Sequence, residues 1–373
     1  MSQYDNLPQV LVSQPNLDLV NPPQGVITIS PLPEGTLLAI YPPLADNTYQ
    51  FYRFYQVKKG QVPSTQSNMK LVIIDTLGSG ILQQASGFDI RVFDSAGLPL
   101  DYEVQEVTTG TGDIIVWVNV TTVKDGEFIQ LTFGKVSATD GSNPSVVWND
   151  RLAVYHMNNL TDSTGNNDLT NFDTTPTAGK IGTARNFDGI DSFMSSNATL
   201  PGDVGWISVW VLPRNITDND YIVNVRGNKY AIIIGFQDNN FNFFMYPTGA
   251  ATDTQFTATV DVFQKIDIVT FGSTTKIYKN GALIHDVTDI QNRSGSIQFS
   301  IGSPSGTLTF IDAIIDEVQF TDTIPANIDD VIATIYNNQN DNNVFWFKTP
   351  LLENGEDNFL VDDQGRNIVA VQT

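Results

Sequence analysis

There is no cysteine among the 373 residues of the chain. That excludes disulfide staples, thiolate metal centres and cysteine nucleophiles, and leaves the redox compartment undetermined. Histidine is almost as scarce, with only His156 and His285, each in a strand-like stretch with no local nucleophile. Positive charge is thin: 19 Lys and Arg stand against 41 Asp and Glu, a net charge of −22. A chain that neutralises phosphates needs clustered Lys and Arg, so nucleic acid is excluded as a partner and anionic membrane surfaces are disfavoured. No run approaches the roughly 20 apolar residues of a membrane span. The opening stretch MSQYDNLPQVLVSQPNLDL has neither the basic start nor the apolar run of a secretory signal. The expectation is a soluble chain made in a cytoplasm, with no membrane insertion.

What is present is strand material. Hydrophobic residues make up 41% of the chain and charged residues only 16%, ample for two or three domain cores. Residues 1–50 are rich in proline (NPPQG, SPLPEG, YPPLADN) and read as an extended arm with at most short strands such as TLLAIY. From 51 to 136 come KLVIID, DIRVFD, DYEVQEV, DIIVWVNV and FIQLTFG, a small β-domain. In IIVWVNV the alternate residues Ile114, Val116, Val118 and Val120 share one face, as a half-buried strand requires. A polar linker, SATDGSNPS, leads into a longer series from 146 onward: WISVWVLP, YAIIIGF, FNFFMY, KIDIVTF, KIYKNGALI, SIQFSIG and IIDEVQF. Asn280-Gly281 predicts a tight hairpin. NIDDVIATIYNN is the one helical pattern, with Ile328, Val331, Ile332 and Ile335 on one stripe and Asn327 as N-cap.

Four phrases in fixed order carry a resemblance: VWNDRLAVYHMNNLTDSTGNNDLT, GKIGTARNFDGIDSF, TKIYKNGAL, and IIDEVQF followed by the helix. Together, over 146–345, they resemble the concanavalin A-like lectin/glucanase superfamily in its laminin-G-like or pentraxin-like branch. The segment before them resembles an uncharacterised β-domain that often precedes such a module in bacterial surface proteins and tailed-phage structural proteins. The fold class implied is all-β: a small β-sandwich, then a concanavalin A-like jelly-roll sandwich with one short C-terminal helix. The domains expected are an N-terminal arm 1–50, a β-domain 51–136, the lectin-like domain 146–345 and an extended tail 346–373.

The same resemblance implies a Ca²⁺ site, carried onto Asp162, Asn166 and Asp316 with carbonyls of the 166–168 turn. Hard oxygen ligands of this kind suit the ion; turn hydrogen bonds made by Asp162 and Asn166 are the alternative. Asp188 and Asp191 of FDGID read as turn formers. The glucanases of the superfamily place acid and nucleophile on one strand as Glu-x-Asp-x-x-Glu. No such motif occurs; Asp316 and Glu317 are adjacent and expected on opposite faces, as are Glu103 and Glu106. His156 reads as a structural side chain. Trp206, Trp210, Phe244 and Tyr246 are candidates for stacking on sugars, most of them expected in the core.

The resulting expectation is a non-enzymatic virion protein of a tailed phage: a capsid decoration, head-fibre or tail-fibre subunit. Its arm would bind other virion proteins, its lectin-like domain a host-surface glycan, and it would form a homo-oligomer. A bacterial surface glycan-binding module is the alternative, and a polysaccharide hydrolase the third reading.

Overall fold

A computed structural model describes residues 9–10, 37–41, 46, 48–196, 200, 205–216, 220–227, 231–246, 252–272, 274–288, 297–304, 306, 309–349, 351–353, 360–361 and 367–371, apart from 47 and some side chains within the strands. Antiparallel strands dominate it. The first body of the chain pairs two sheets. One has the order Trp346–Lys348, Phe51–Val57, Phe128–Phe133, Arg91–Phe93, with Leu352–Glu353 also on Phe51–Val57. The other is Gln66–Thr76, Asp113–Val123, Tyr102–Thr108. The alternation read in IIVWVNV holds: Ile114, Val116, Val118 and Val120 all enter the core between these sheets. The opposite face of the same strand sends Ile115 and Trp117 into a separate cluster with Val147, Trp148, Val154 and Ile181. That cluster joins the first body to the second.

The second body is a two-sheet sandwich. Its eight-stranded sheet runs Thr175–Ala178, Thr183–Asp188, Asp312–Thr321, Trp206–Pro213, Gln264–Phe271, Thr274–Lys279, Ala282–Thr288, with Ala153–Tyr155 also on Asp312–Thr321. Its seven-stranded sheet runs Leu169–Phe172, Phe193–Ser196, Ile297–Ile301, Tyr221–Gly227, Ala231–Gln237, Asn240–Tyr246, Thr252–Thr257. Ile207, Val209, Ile266 and Ile268 of one sheet face Met194, Val223, Phe243 and Ile301 of the other in a single core. Asn280 and Gly281 have φ of 51° and 78°, the doubly left-handed hairpin that Asn-Gly predicts.

The boundary after the sandwich differs from the sequence expectation. Ile328–Asn340 is helical and buries Ile328, Val331, Ile332 and Ile335 as predicted, but those side chains join the core of the first body. The helix covers an open strand edge there. Asn338 Oδ1 accepts from Val72 N at 2.8 Å, and Asn338 Nδ2, Asn342 Nδ2 and Trp346 Nε1 all donate to Val72 O. Side-chain amides thus stand in for a missing strand, which is why two asparagines are buried here. Residues 346–353, expected to begin a tail, are strands of the first body; the tail reading had no way to see a pairing that spans almost 300 residues of chain. Asn327 sits at the N-cap position, yet its side chain donates to Gln66 Oε1 across to the first body instead of capping the helix.

Strands from the two terminal segments form a fifth sheet, in the order Gln9–Val10, Leu37–Tyr41, Asn367–Val371, Leu360–Val361. Residues 46 and 48–50 of the expected arm are also described, with Tyr49 buried; the rest of the arm, and the rest of the tail beyond 353, lie outside the described residues.

Candidate functional site

Two regions of the sandwich concentrate polar chemistry: the buried outer face of the eight-stranded sheet and the outer face of the seven-stranded sheet. On the first, Trp206, Ser208 and Trp210 alternate with the core residues Ile207 and Val209. They face the first body and the helix, not solvent: Trp206 donates to Asp267 Oδ1 at 3.0 Å and Trp210 to Gln339 Oε1 at 2.7 Å. Neither tryptophan is available to a sugar; both are at most 4% exposed. The side chains of Phe244 and Tyr246 lie outside the described residues.

At the seam between the bodies His156 lies between two glutamates. Its Nδ1 is 2.9 and 3.0 Å from the Glu317 carboxylate oxygens and its Nε2 is 3.1 Å from Glu103 Oε2. Trp117 stacks on the imidazole at 5.2 Å between centroids, with Trp148 at 5.6 Å. Glu103 also accepts from Trp148 Nε1 and, at 2.7 Å, from Ser163 Oγ. Burial opposes the charge on His156, but the flanking carboxylates outweigh it and raise its pKa well above the ordinary value. Burial also opposes ionisation of Glu103, yet the imidazolium and its hydrogen bonds hold its pKa below normal. Glu317 lacks those extra donors, and burial with Glu103 nearby pushes its pKa up. Asp316, fully buried beside Glu317, is pushed up further.

Backbone bulges create this cluster, and they correct two facing assignments. Between Val104 and Glu106 the register against Asp113–Val123 slips by one, so Glu103 opposes Trp117 and Glu106 opposes Ile115. Glu103 and Glu106 therefore share the face that meets the second body, where Glu106 Oε1 accepts from Thr183 N at 2.9 Å. A second slip lies between Ser208 and Trp210, opposite Glu317, whose φ is 49°. It turns Glu317 toward His156 while Asp316 still opposes Trp210, so strict alternation across 316 and 317 fails.

The three residues expected to hold calcium do not fit that ion. Asp162 is buried and its two oxygens already accept five hydrogen bonds, from Val154 N, Thr164 N, Thr164 Oγ1, Asn167 N and Asn167 Nδ2. They fold the 154–167 turn back on its own strand. Asn166 is exposed and donates to Thr164 O. Asp316 Oδ2 accepts from Ile181 N at 2.9 Å, Gly179 leaves no room beside it (a Cβ would lie 2.6 Å away), and Oδ1 is buried with no hydrogen-bond partner. Among the described residues no group of three or more His, Cys, Asp or Glu side chains has metal-holding geometry. Asp188 is the turn former it resembles, accepting from Ile190 N and Ser192 Oγ.

The outer face of the seven-stranded sheet is different. In register, Met194, Ile301, Val223, Ile234 and Phe243 point to the core. One residue along, Thr170, Ser195, Ser300 and Asn224 line up on the outside. The 302–306 loop lies over part of this row: Ser300 Oγ donates to Ser303 O and Asn224 Nδ2 to Pro304 O. At its edge the rings of Phe172 and Phe193 stack in parallel, 4.1 Å apart. The sequence reading missed this pair because the two phenylalanines are 21 residues apart in polar stretches, and only the pairing of Leu169–Phe172 with Phe193–Ser196 brings them together.

The second body is thus a two-sheet β-sandwich with one sheet covered by the rest of the chain and, on the other, Thr170, Ser195 and Phe172 reaching solvent at one edge. Residues 188–325 match the family described as the concanavalin A-like lectin/glucanases superfamily, and residues 86–199 match a domain of unknown function (DUF2341). The chain thus carries a concanavalin A-like domain preceded by that second domain type. Among curated proteins none matches it. Similar solved structures include domain 4 of a GH43 extracellular arabinanase from Geobacillus stearothermophilus in complex with arabinotriose (18% identity, 49% of this chain and 98% of that one, TM-score 0.44). The binding domain of botulinum neurotoxin serotype D is another (12% identity, 52% of this chain and 53% of that one, TM-score 0.44). A third is the binding domain of Paraclostridial Mosquitocidal Protein 1 (14% identity, 50% of this chain and 52% of that one, TM-score 0.41). The chain spans about half the length of these two toxin domains.

Proposed function

We propose that the chain is a non-enzymatic attachment protein that holds a glycan on the outer face of its seven-stranded sheet. We further propose that it serves as a structural subunit of a tailed-phage virion, as a capsid decoration, head fibre or tail fibre. The observation that carries the first part is the asymmetry of the sandwich. The eight-stranded sheet is closed by the first body and the helix, whereas the other sheet presents Thr170, Ser195 and an exposed aromatic edge. The carboxylates fit no hydrolytic role: Glu103 and Glu317 are buried and separated by the His156 they both contact. A glycosidase needs its pair open to the bond it cleaves.

The virion assignment rests on the pairing of the β-domain with a lectin-like module. It is supported by the terminal sheet, in which strands from both ends of the chain pair with one another; in this reading that sheet would anchor the chain to other virion proteins. Such subunits repeat around a symmetry axis, so a homo-oligomer is part of the proposal. Mass spectrometry and imaging of purified particles test it, with a glycan array on the purified chain. Recovery of the chain at a repeated position, together with array binding, is the expected result. Binding without any particle would leave the bacterial surface module; neither would overturn the proposal.

A further inference from the structure

We propose that the stacked pair Phe172–Phe193 is the sugar-stacking subsite of the open face and that its ligand is a neutral glycan. This rests on the glycan-binding reading above and adds to it a place and a chemical class. The two rings stand directly opposite each other in the strand register and are parallel to within 1°. Phe193 is backed from behind. Phe310 lies 6.3 Å from it, and Gly306, at φ +67°, brings loop backbone so close that a Cβ would lie 2.3 Å from the ring. Phe172 is on the edge strand of its sheet, has one ring face against Phe193, and keeps 39% exposure. The stack therefore has a fixed inner end and an open outer one.

A pyranose ring has a face made of C–H groups, which carry partial positive charge and suit the negative face of an aromatic ring. Seated on Phe172, it would extend the stack by one layer. Thr170 and Ser195, paired two residues along on the same face, offer hydroxyls that both donate and accept, as sugar hydroxyls require.

Charge selects the class. The segment 169–196 that carries the pair contains Asp173, Asp188 and Asp191 and two cations, and both cations are engaged elsewhere. Lys180 Nζ donates to Asn340 O at 2.7 Å over the Trp210 ring, and Arg185 Nε donates to Met157 O at 3.1 Å. Arg214, the next cation along the chain, is 3.3 Å from Asp312. Among the described side chains of this segment, a uronic acid or phosphate-bearing polymer would meet carboxylates and no free cation, on a chain of net charge −22; the side chain of Arg226, on the same face of the sheet, lies outside the described residues.

The test is native affinity electrophoresis of the full chain in gels containing galactan, mannan, β-glucan or polygalacturonate. Wild type should be retarded by at least one neutral polymer and not by polygalacturonate. Phe172→Ser should weaken that retardation about tenfold at unchanged melting temperature, and Phe172→Trp should keep it. If Phe172→Ser is retarded like wild type, the subsite falls while the glycan reading stands. Retardation by polygalacturonate alone overturns the neutral class, and retardation by nothing overturns both. A wild-type dimer that the serine variant dissociates would make the pair a self-association surface and likewise overturn the proposal.

Discussion

Replacing His156 by alanine removes the imidazole that lies between Glu103 and Glu317. Both carboxyls stay buried, Glu317 at 1% and Glu103 at 8% exposure, and no backbone change relieves them. Deleting one partner of a buried ion pair costs about 3–5 kcal/mol, because the charge left behind is uncompensated. A cavity beside Trp117 and Trp148, whose rings both touch the imidazole, adds to it. Against a typical total of about 5–15 kcal/mol this is a large fraction, and it should lower the melting temperature at neutral pH by about 6–10 °C.

The pH dependence gives the sharper check. In the intact chain His156 binds its proton more tightly folded than unfolded. Its stabilisation is therefore full below about 6.5 and fades as pH rises through the higher folded value. Glu103, depressed, contributes above about 4.5 and loses that contribution as pH falls through its folded value. Glu317 and Asp316 are raised, hold protons the unfolded chain would release, and oppose folding as pH rises. Without the imidazole Glu103 joins them. Stability of the variant should then fall with pH from about 5 to 7, with a slope of about 1.4 kcal/mol per unit for each extra proton bound in the folded state. Calorimetric scans of both proteins between pH 4.5 and 7.5 measure this. A variant melting within about 2 °C of wild type at pH 7, with a parallel pH profile, would refute the reasoning.

Two further outcomes follow from the packing. Ending the chain after Phe345 removes Trp346, whose ring packs on Tyr55, and Lys348, which is ion-paired to Asp75; the loss of the tryptophan alone is worth about 3–5 kcal/mol. Residues 46–345 should therefore melt well below residues 46–353, or fail to fold, in a side-by-side thermal denaturation. Asp162→Ala frees five donors at the 154–167 turn and should destabilise by about 2–4 kcal/mol. The drop should be the same with and without chelator, whereas a calcium ligand would lose its effect once chelator is present.

How far the sequence carried can be read from single residues. Ile114, Val116, Val118 and Val120 were placed on the right face because a regular strand has a period of two, and Val331, Ile332 and Ile335 because a regular helix has one near 3.6. The same logic failed at Glu103 and Glu106 and at Asp316 and Glu317, where one extra residue in a strand resets the alternation. Nothing in DYEVQEV or IIDEVQF marks the slip, and those bulges are what assemble the His156 cluster. Phe172 and Phe193 were invisible for another reason: a cross-strand pair is a property of register, and register is set by the whole sheet. The phrase TDSTGNN was read for its oxygens, but the turn it forms uses those oxygens on its own backbone.

The chain enters the first body at Phe51 and leaves it at Glu353, and these two residues pair directly with each other. Everything from the polar linker to the helix hangs from that body as a loop with both ends tied on one side. A pull applied at the open face of the sandwich is therefore carried back along two passages of chain in parallel, with the buried seam as a third support. The terminal segments, paired in their own small sheet, would bear the load together and not one after the other. Wherever the molecule is held, the face proposed to bear a ligand would transmit force without its own strands being drawn out end to end.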